Sequence, residues 1–455
     1  MPVPATPVEQ RRPLDRILSP FAVVRTGEGA NALLLMLAVF LLLTAYYVLK
    51  VVREPLILTA GGAELKSYTS AAQAVLLLFL IPAYSAIANR VSRTRLISVV
   101  SLFFIVNLIF FYGAAVGNMP GLGAAFFIWV GIFNLMIIAQ FWSFANDVYT
   151  PEQGRRLFAI LGFGQTLGAA CGGVISKSLI GVLRVHELML VAAAMLLGYL
   201  LLILVVHRRS RHDAQTSQPA ATAPMVDRRG GFAMIFRDRY LLLLALLMLL
   251  LNFVNTNGEY ILGRVVSGEA VRQAAAGGAA GVGTDEFVKQ FIGSFYADYF
   301  TWVNTLTAFI QIFLVSRIMT RFGVRVALYV LPVVAMGAYG ILAFVPVLAL
   351  IRFAKIGENA LDYSLNNTAR HALFLPTSRE AKYKAKAAID TMFVRAGDLS
   401  SAGLVFVGTL LALQPRDFAI INLVLITVWL FLVVAIGKQH RALMARQAKE
   451  EANAA

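Results

Sequence analysis

Ionisable residues of this chain recur inside long apolar runs, a costly position that usually faces a bundle interior or a watery path. The densest set is Arg352, Lys355, Glu358 and Asp362, then Lys382, Lys384, Lys386, Asp390, Arg395 and Asp398. Steps of three, three and four residues set the first four along one helical face. If that helix enters the membrane near Val347, they lie roughly 8, 12, 17 and 23 Å deep. The following run returns with Asp390, Arg395 and Asp398, the last two roughly 12 and 17 Å in from Ala387. Opposite charges at matching depth on the two runs are expected to pair, which lowers the desolvation cost of each. Two readings stand open: an ion-pair network that only locks two helices together, or a polar cavity wall that meets an ionic solute. The second is favoured, because such charges in membranes mark transport paths.

Two further groups occupy corresponding helix ends. The first apolar run ends YYVLKVVREPLIL, giving Lys50, Arg53 and Glu54; the seventh ends NFVNTNGEYILGR, giving Asn252, Asn255, Glu259 and Arg264. Lys50 and Arg53 share a face, as do Asn252, Asn255 and Glu259. Long basic chains such as Lys50 and Arg264 can instead snorkel to the outer surface. A glutamate is shorter, so Glu259 is the stronger site candidate. Arg264 and the basic residues ending the first run are expected to hold it ionised.

The fourth run ends FWSFANDVYTPEQGRRLF, with Asn146 and Asp147 at the cytoplasmic mouth. Thr150-Pro151-Glu152-Gln153 then has the form of a helix start: Thr150 as N-cap, Pro151 first, Gln153 placed for a capping box. Gly164, Gly168 and Gly172, with Gly173, allow another helix to approach closely. GFGQTLG has no preceding strand and lies in an apolar span, which argues against a phosphate-cradling loop. There is no HExxH, P-loop or nucleophile elbow, and the five histidines are scattered. No enzymatic activity, cofactor or metal is therefore expected.

The elements that position these residues are membrane helices. The 455 residues are 59% hydrophobic and 14% charged, with mean hydropathy +0.74, as in a polytopic membrane protein. A spanning helix needs about 20 mostly apolar residues. Twelve stretches qualify, near 30–51, 68–88, 96–117, 121–144, 157–180, 187–206, 239–262, 292–316, 325–345, 347–370, 387–413 and 417–437. The net charge of +16 reflects cytoplasmic loops rich in Lys and Arg rather than a nucleic-acid partner. Arg90, Arg93 and Arg95 follow span two, Arg317, Arg321 and Arg325 follow span eight, and six arginines lie between spans six and seven. Both termini are placed in the cytoplasm. The N-terminus MPVPATPVEQRRPLDRILSP lacks the pattern of a removable signal, so the first span is expected to direct insertion. The lone Cys171 excludes an intramolecular disulfide and reads as a small packing residue.

The expected organisation is an N-terminal six-helix half over 1–206 with a cytoplasmic tail 1–29, a flexible cytoplasmic linker 207–231, and a C-terminal half over 232–455. ANRVSRTRLISVV (88–100) and SRIMTRFGVRVALYV (316–330) are a weak internal echo. Basic turns at corresponding places fit the major facilitator architecture, in which two six-helix repeats enclose a midplane site. The Gly/Ala-rich stretch Val265–Gln290 is expected to be a mobile outer loop.

KIGENALDYSLNN, KYKAKAAID, FWSFAND and YYVLKVVREPLILTAGGAE resemble the ATP/ADP translocase family of plastids and intracellular bacteria, relatives of the major facilitators. The resemblance covers nearly the whole transmembrane chain. It implies a family basic-acidic pair at Arg53 and Glu54, a late helix-seven acid at Glu259, and a lysine-rich entry to helix eleven at Lys382, Lys384 and Lys386. It also implies a family acid at Asp147. The chain departs from the family where Arg53-Glu54 replaces Lys-Asp, Asn366-Asn367 replaces Phe-Asp, and Arg370-His371 replaces Lys-Glu.

The reading is thus an all-α integral membrane protein of twelve helices in two halves, a secondary transporter working by alternating access. Its expected solutes are nucleotides or other phosphorylated anions taken by exchange, since several negative charges need several Lys and Arg donors. A proton-coupled carrier of another polar solute, with Glu259, Glu358 or Asp398 taking the proton, is the alternative. A monomer in a bacterial inner membrane, with lipid and a small anion as its partners, completes the expectation.

Overall fold

The computed structural model describes residues 24–25, 28–88, 93–213, 231–279, 281–345, 347–378 and 380–454. Helix α1 runs Gly29–Ala88, α2 Arg93–Val116, α3 Leu122–Val148, α4 Pro151–Leu179 and α5 Leu188–Asp213. After α6 (Gly231–Arg237) come α7 (Arg239–Gln273), α8 (Thr284–Phe309) and α9 (Ser316–Phe344). Then come α10 (Leu348–Leu361), α11 (Asn367–Leu373), α12 (Val394–Leu410) and α13 (Pro415–Ala454). No strand occurs among the described residues.

Nine helices among the described residues are long and apolar enough to cross a membrane. Two are double length: Gly29–Ile81 has 53 residues and Thr284–Phe344 has 61. At about 1.5 Å per residue, each is more than twice the ~30 Å of hydrocarbon. Each carries a glycine break. In α1 it falls at Gly61–Gly62, where Gly62 has φ 69°; in α9 it falls at Gly323, with φ 75°. A left-handed φ is open to glycine without a Cβ clash, so these positions turn the chain. Residues 348–373 fall short of that apolarity, because Arg352, Lys355, Glu358, Asp362 and Arg370 interrupt them. Large apolar side chains such as Phe103, Phe110, Phe353 and Phe431 are exposed, as suits a chain whose solvent is a bilayer rather than water. The protein is an integral, multi-pass membrane protein.

Expected spans 30–51 and 68–88 are the two ends of α1, so Arg53 and Glu54 sit inside helix rather than at its close. The stretch Val265–Gln290, expected as a loop, is mostly helical. Helix α7 continues to Gln273, a wider i→i+5 turn follows at Ala274–Gly278, and α8 begins at Thr284. Alanine and paired charges sustain the helix there, with Arg272 reaching Glu269 at 2.6 Å. In the expected linker 207–231, helix continues to Asp213, and 214–230 lie outside the described residues. Most of the expected tail 1–29 also lies outside them.

The chain divides into two compact units. Among the described residues, one holds those within 24–52, 83–119 and 130–213, and the other those within 53–82, 120–129 and 231–454. In the first, α4 lies directly on α1. A Cβ at Gly164, Gly168 or Gly172 would come within 2.7, 2.4 and 2.8 Å of the carbonyl oxygens of Met36, Phe40 and Thr44. Four-residue steps on both helices keep the two backbones in register. Thr44 Oγ1 adds an interhelical hydrogen bond to the Gly168 carbonyl at 3.2 Å. The expected helix start is present as read: Thr150 caps α4, Gln153 closes the box, and Pro151 stands first.

The second unit is organised around α7. Gly397 of α12 admits the α7 backbone, since a Cβ there would lie 2.6 Å from the Leu249 carbonyl oxygen. Gly258 of α7 admits α9, since a Cβ there would lie 1.9 Å from the Tyr339 hydroxyl. Tyr260, Tyr296, Tyr299 and Tyr339 are all fully buried in this unit. Their hydroxyls make the interior polar as well as aromatic.

Candidate functional site

In the second unit, Arg53 and Glu54 of α1 form a side-by-side ion pair, with Arg53 Nε also donating to Glu54 Oε1 at 3.1 Å. The Arg53 guanidinium lies over the Phe127 ring, 4.4 Å from its centroid. Glu54 is 1% exposed and takes a second cation, Lys66, at 2.7 Å. Lys66 belongs to the part of α1 beyond the glycine break and also faces Glu259 of α7 at 3.8 Å. One ammonium therefore serves two carboxylates.

Helix α10 meets α7 along two adjacent rungs. Asn359 donates to Glu259 at 3.1 Å, and Lys355 donates to Asn255 at 3.4 Å. Tyr299 donates to Glu259 at 3.3 Å and accepts from Asn359 at 2.6 Å. Lys355, only 1% exposed, pairs with Glu358 at 3.1 Å, and Tyr339 donates to that carboxylate at 3.3 Å. The missing Cβ of Gly258 makes room here, since it would stand 2.8 Å from Lys355 Nζ. Arg53, Lys66 and Lys355 thus face Glu54, Glu259 and Glu358, three cations against three anions. Such pairing is what makes buried charge tolerable in a membrane interior.

A second cluster lies further along α7. Asp398 of α12 pairs with Arg395 at 3.0 Å and accepts from Asn252 at 2.7 Å and Thr256 at 2.9 Å. Arg352 of α10 pairs with Asp298 of α8 at 3.5 Å. Asp362 accepts from Asn366 at 2.7 Å within a run of i→i+5 turns. Similar turns cover Ala381–Ala385 and Ile389–Phe393. These wide turns are uncommon and gather at functional positions; here they carry Asp362, Lys382, Lys384 and Asp390.

Several expected contacts are rearranged. The predicted pairing between spans ten and eleven is replaced by pairs within each helix, Lys355–Glu358 and Arg395–Asp398. Residues three apart already meet on one helix, and α7 lies against both and supplies the remaining polar partners. Arg264 does not reach Glu259. It donates to the Leu413 carbonyl at 2.8 Å and the Tyr260 hydroxyl at 3.1 Å, and lies 3.8 Å from Glu64. The cation beside Glu259 is Lys66. Lys384 and Lys386 pair locally with Glu380 and Asp390, and Lys382 is exposed. Lys50, Asn146 and Asp147 belong to the first unit. There Lys50 stands 5.1 Å from the Tyr47 centroid and 5.8 Å from the Tyr46 centroid, while Asn146 and Asp147 are exposed.

Sequence reasoning did not find Lys66, Glu64, Tyr299, Tyr339 and Asn359. A readable signal existed for two of them. Gly61-Gly62 read as a helix break, not as a loop, leaves Glu64 and Lys66 in the first turn of the returning helix.

A family model described as TLC ATP/ADP transporter matches residues 353–440, the segment that holds Lys355, Glu358, Asp362 and Asp398. The chain is 25% identical over 360 residues to ADP,ATP carrier protein 2 of Chlamydia pneumoniae, covering 68% of this chain and 64% of that one. It is 23% identical over 373 residues to ADP,ATP carrier protein 1 of Chlamydia trachomatis serovar D, covering 71% and 66%. The chain therefore spans less than two thirds of the length of these relatives. In structure it is similar to the nucleoside transporter NupG, with TM-score 0.64 and 12% identity over 91% of this chain and 99% of that one. It is also similar to a POT family transporter in complex with 5-aminolevulinic acid, with TM-score 0.62 and 13% identity over 91% and 96%. The chain is thus similar to ATP/ADP carriers in sequence, and its fold is like that of the two solved transporters.

Proposed function

We propose that this protein is a secondary transporter that exchanges nucleotides, or other phosphorylated anions, by alternating access. Twelve crossings in two six-helix halves, 1–206 and 232–455, rock about a midplane site. Both termini face the cytoplasm of a bacterium, and the carrier works as a monomer in the inner membrane. The observation that carries this reading is the match of residues 353–440 to the ATP/ADP transporter model. That segment supplies Lys355, Glu358 and Asn359 to the charge network on α7.

The network suits exchange. Arg53, Lys66, Lys355 and Arg395 are each held by a carboxylate. Phosphate oxygens compete for Arg53, Lys66, Lys355 and Arg395 through charge-assisted hydrogen bonds. Glu54, Glu259, Glu358 and Asp398 then receive the cations back when the anion leaves. Lys382, Lys384 and Lys386 draw anions toward the cytoplasmic mouth by long-range attraction.

A melting-temperature screen of the purified protein tests the substrate class. ADP and ATP at about 100 times their dissociation constants should stabilise it by about 2.7 kcal/mol. Adenosine, which lacks the phosphates, should do far less. Stabilisation by uncharged solutes, with none by any phosphorylated compound, would overturn the assignment.

A further inference from the structure

Helix α7 carries a polar stripe that continues beyond the charge-balanced network. Met248, Asn252, Asn255 and Glu259 follow at intervals of four, three and four residues, so they share one face over roughly 16 Å. Three rungs of this stripe bring a cation and a carboxylate together. Glu259 faces Lys66, Asn255 takes Lys355 with its partner Glu358, and Asn252 holds Asp398 with its partner Arg395. The fourth rung is different. Met248 Sδ accepts from Arg370 Nη1 at 3.3 Å, and Arg370 Nη2 donates to Asn367 Oδ1 at 3.2 Å. Both partners are neutral. Arg370 Nε is buried and has no acceptor. Among the described residues no carboxylate lies within ion-pair distance of this guanidinium.

An arginine cannot shed its charge by deprotonation, so its electrostatic cost is not relieved in that way. Neither Asn367 nor Met248 balances it, and an idle buried N–H donor is itself unfavourable. The arrangement becomes favourable when an anion meets the guanidinium edge that Nε shares with a neighbouring Nη. That edge presents two parallel donors, the geometry that phosphate oxygens accept. We infer that Arg370 is the receptor for a phosphate group at this end of the α7 stripe. Among the described residues that meet this stripe, Arg370 adds a positive charge that no carboxylate balances, which a polyanion requires and a balanced network does not supply. The inference rests on the carrier reading for the identity of the anion. The phosphate can belong to the transported nucleotide or to an anionic lipid headgroup, and the experiment separates the two.

The test uses the full chain purified in detergent, as wild type, Arg370→Gln and Arg370→Lys. Binding of ADP and of inorganic pyrophosphate is measured by titration calorimetry, and co-purified anionic lipid by mass spectrometry. Arg370→Gln should weaken both ligands by about 30-fold, and Arg370→Lys by about 10-fold, because lysine keeps the charge and loses the fork. Ligand-free melting temperature should hold or rise in Arg370→Gln, since an uncompensated charge has been removed; this shows that the variant folds. Loss of ligand affinity with unchanged lipid supports the phosphate site and assigns it to the transported anion. Unchanged ligand affinity with loss of bound anionic lipid supports the phosphate site and assigns it to the headgroup. Wild-type affinity and wild-type lipid content in both variants would overturn the inference. If the wild type itself binds neither ADP nor pyrophosphate, the nucleotide reading fails, and the lipid measurement alone then decides for or against the site.

Discussion

Glu259→Gln is expected to lower nucleotide exchange roughly 100-fold, about 2.7 kcal/mol of transition-state stabilisation, at acid and alkaline pH alike. Glu259 receives Lys66 at 3.8 Å, Asn359 at 3.1 Å and Tyr299 at 3.3 Å. All three are donors in this arrangement, so the site is shaped for a group that only accepts. Glutamine keeps the length but brings an amide NH2. If its oxygen faces Asn359 and Tyr299, its nitrogen is turned toward the Lys66 ammonium, donor against donor. Removing one partner of a buried charged set also leaves the other under-compensated, which costs more than the pair itself contributed. Lys66 would then pair with Glu54 alone, at 2.7 Å, and the link across to α7 would be lost. The proton-coupled alternative predicts a different pattern. There the neutral mimic keeps solute-for-solute exchange and loses only uptake driven by a pH gradient. Labelled-nucleotide uptake into proteoliposomes, with and without that gradient, separates the two outcomes. A variant that performs normally in both assays would remove Glu259 from the mechanism.

The second large effect concerns motion. Ala63, just past the glycine break of α1, lies against Gly263 of α7; a Cβ added at Gly263 would be 3.5 Å from the Ala63 Cβ. Disulfides form across Cβ separations of about 3.5–4.5 Å. In a Cys171→Ser background, Ala63→Cys with Gly263→Cys should therefore oxidise readily and stop transport almost completely. A reductant should restore it. Both positions lie in the second compact unit; if residues 1–206 and 232–455 rock against each other as proposed, this contact must part in every cycle. The polar contacts beside it have a suitable form for repeated opening. Tyr260 donates to Glu64 at 2.9 Å, and Arg264 and Lys66 approach their carboxylates, Glu64 and Glu259, at only 3.8 Å each. Full transport by a quantitatively cross-linked protein would show that this contact stays closed throughout the cycle.

Local patterns proved readable in the sequence, and partners across helices did not. The capping box at Thr150 and the glycine ladder Gly164–Gly168–Gly172 depend on neighbours one turn away or on residue size alone. Both are present as expected. The charge stretch over 352–398 is legible as a concentration of membrane charge, but its partners are not: Lys355–Glu358 and Arg395–Asp398 pair within a helix, and Arg352 pairs with Asp298 of α8. Depth along a helix is legible from a residue count; which neighbour faces it is not. Lys66 illustrates the same limit. GGAELK falls between the expected spans 30–51 and 68–88, so Glu64 and Lys66 are not among the expected site residues. The helix in fact resumes directly after Gly62 and buries Lys66 between Glu54 and Glu259. Arg264 shows the converse, because five residues after Glu259 it faces away from that carboxylate, toward Leu413.

Obligatory exchange of phosphorylated anions, as proposed, is measured directly by counter-exchange. Proteoliposomes loaded with ADP, or left empty, are given labelled ATP outside. Rapid uptake is expected into ADP-loaded vesicles, almost none into empty ones, and no rescue of the empty vesicles by an imposed pH gradient. Uptake that proceeds equally into empty vesicles, or that follows the pH gradient and ignores internal ADP, would contradict it.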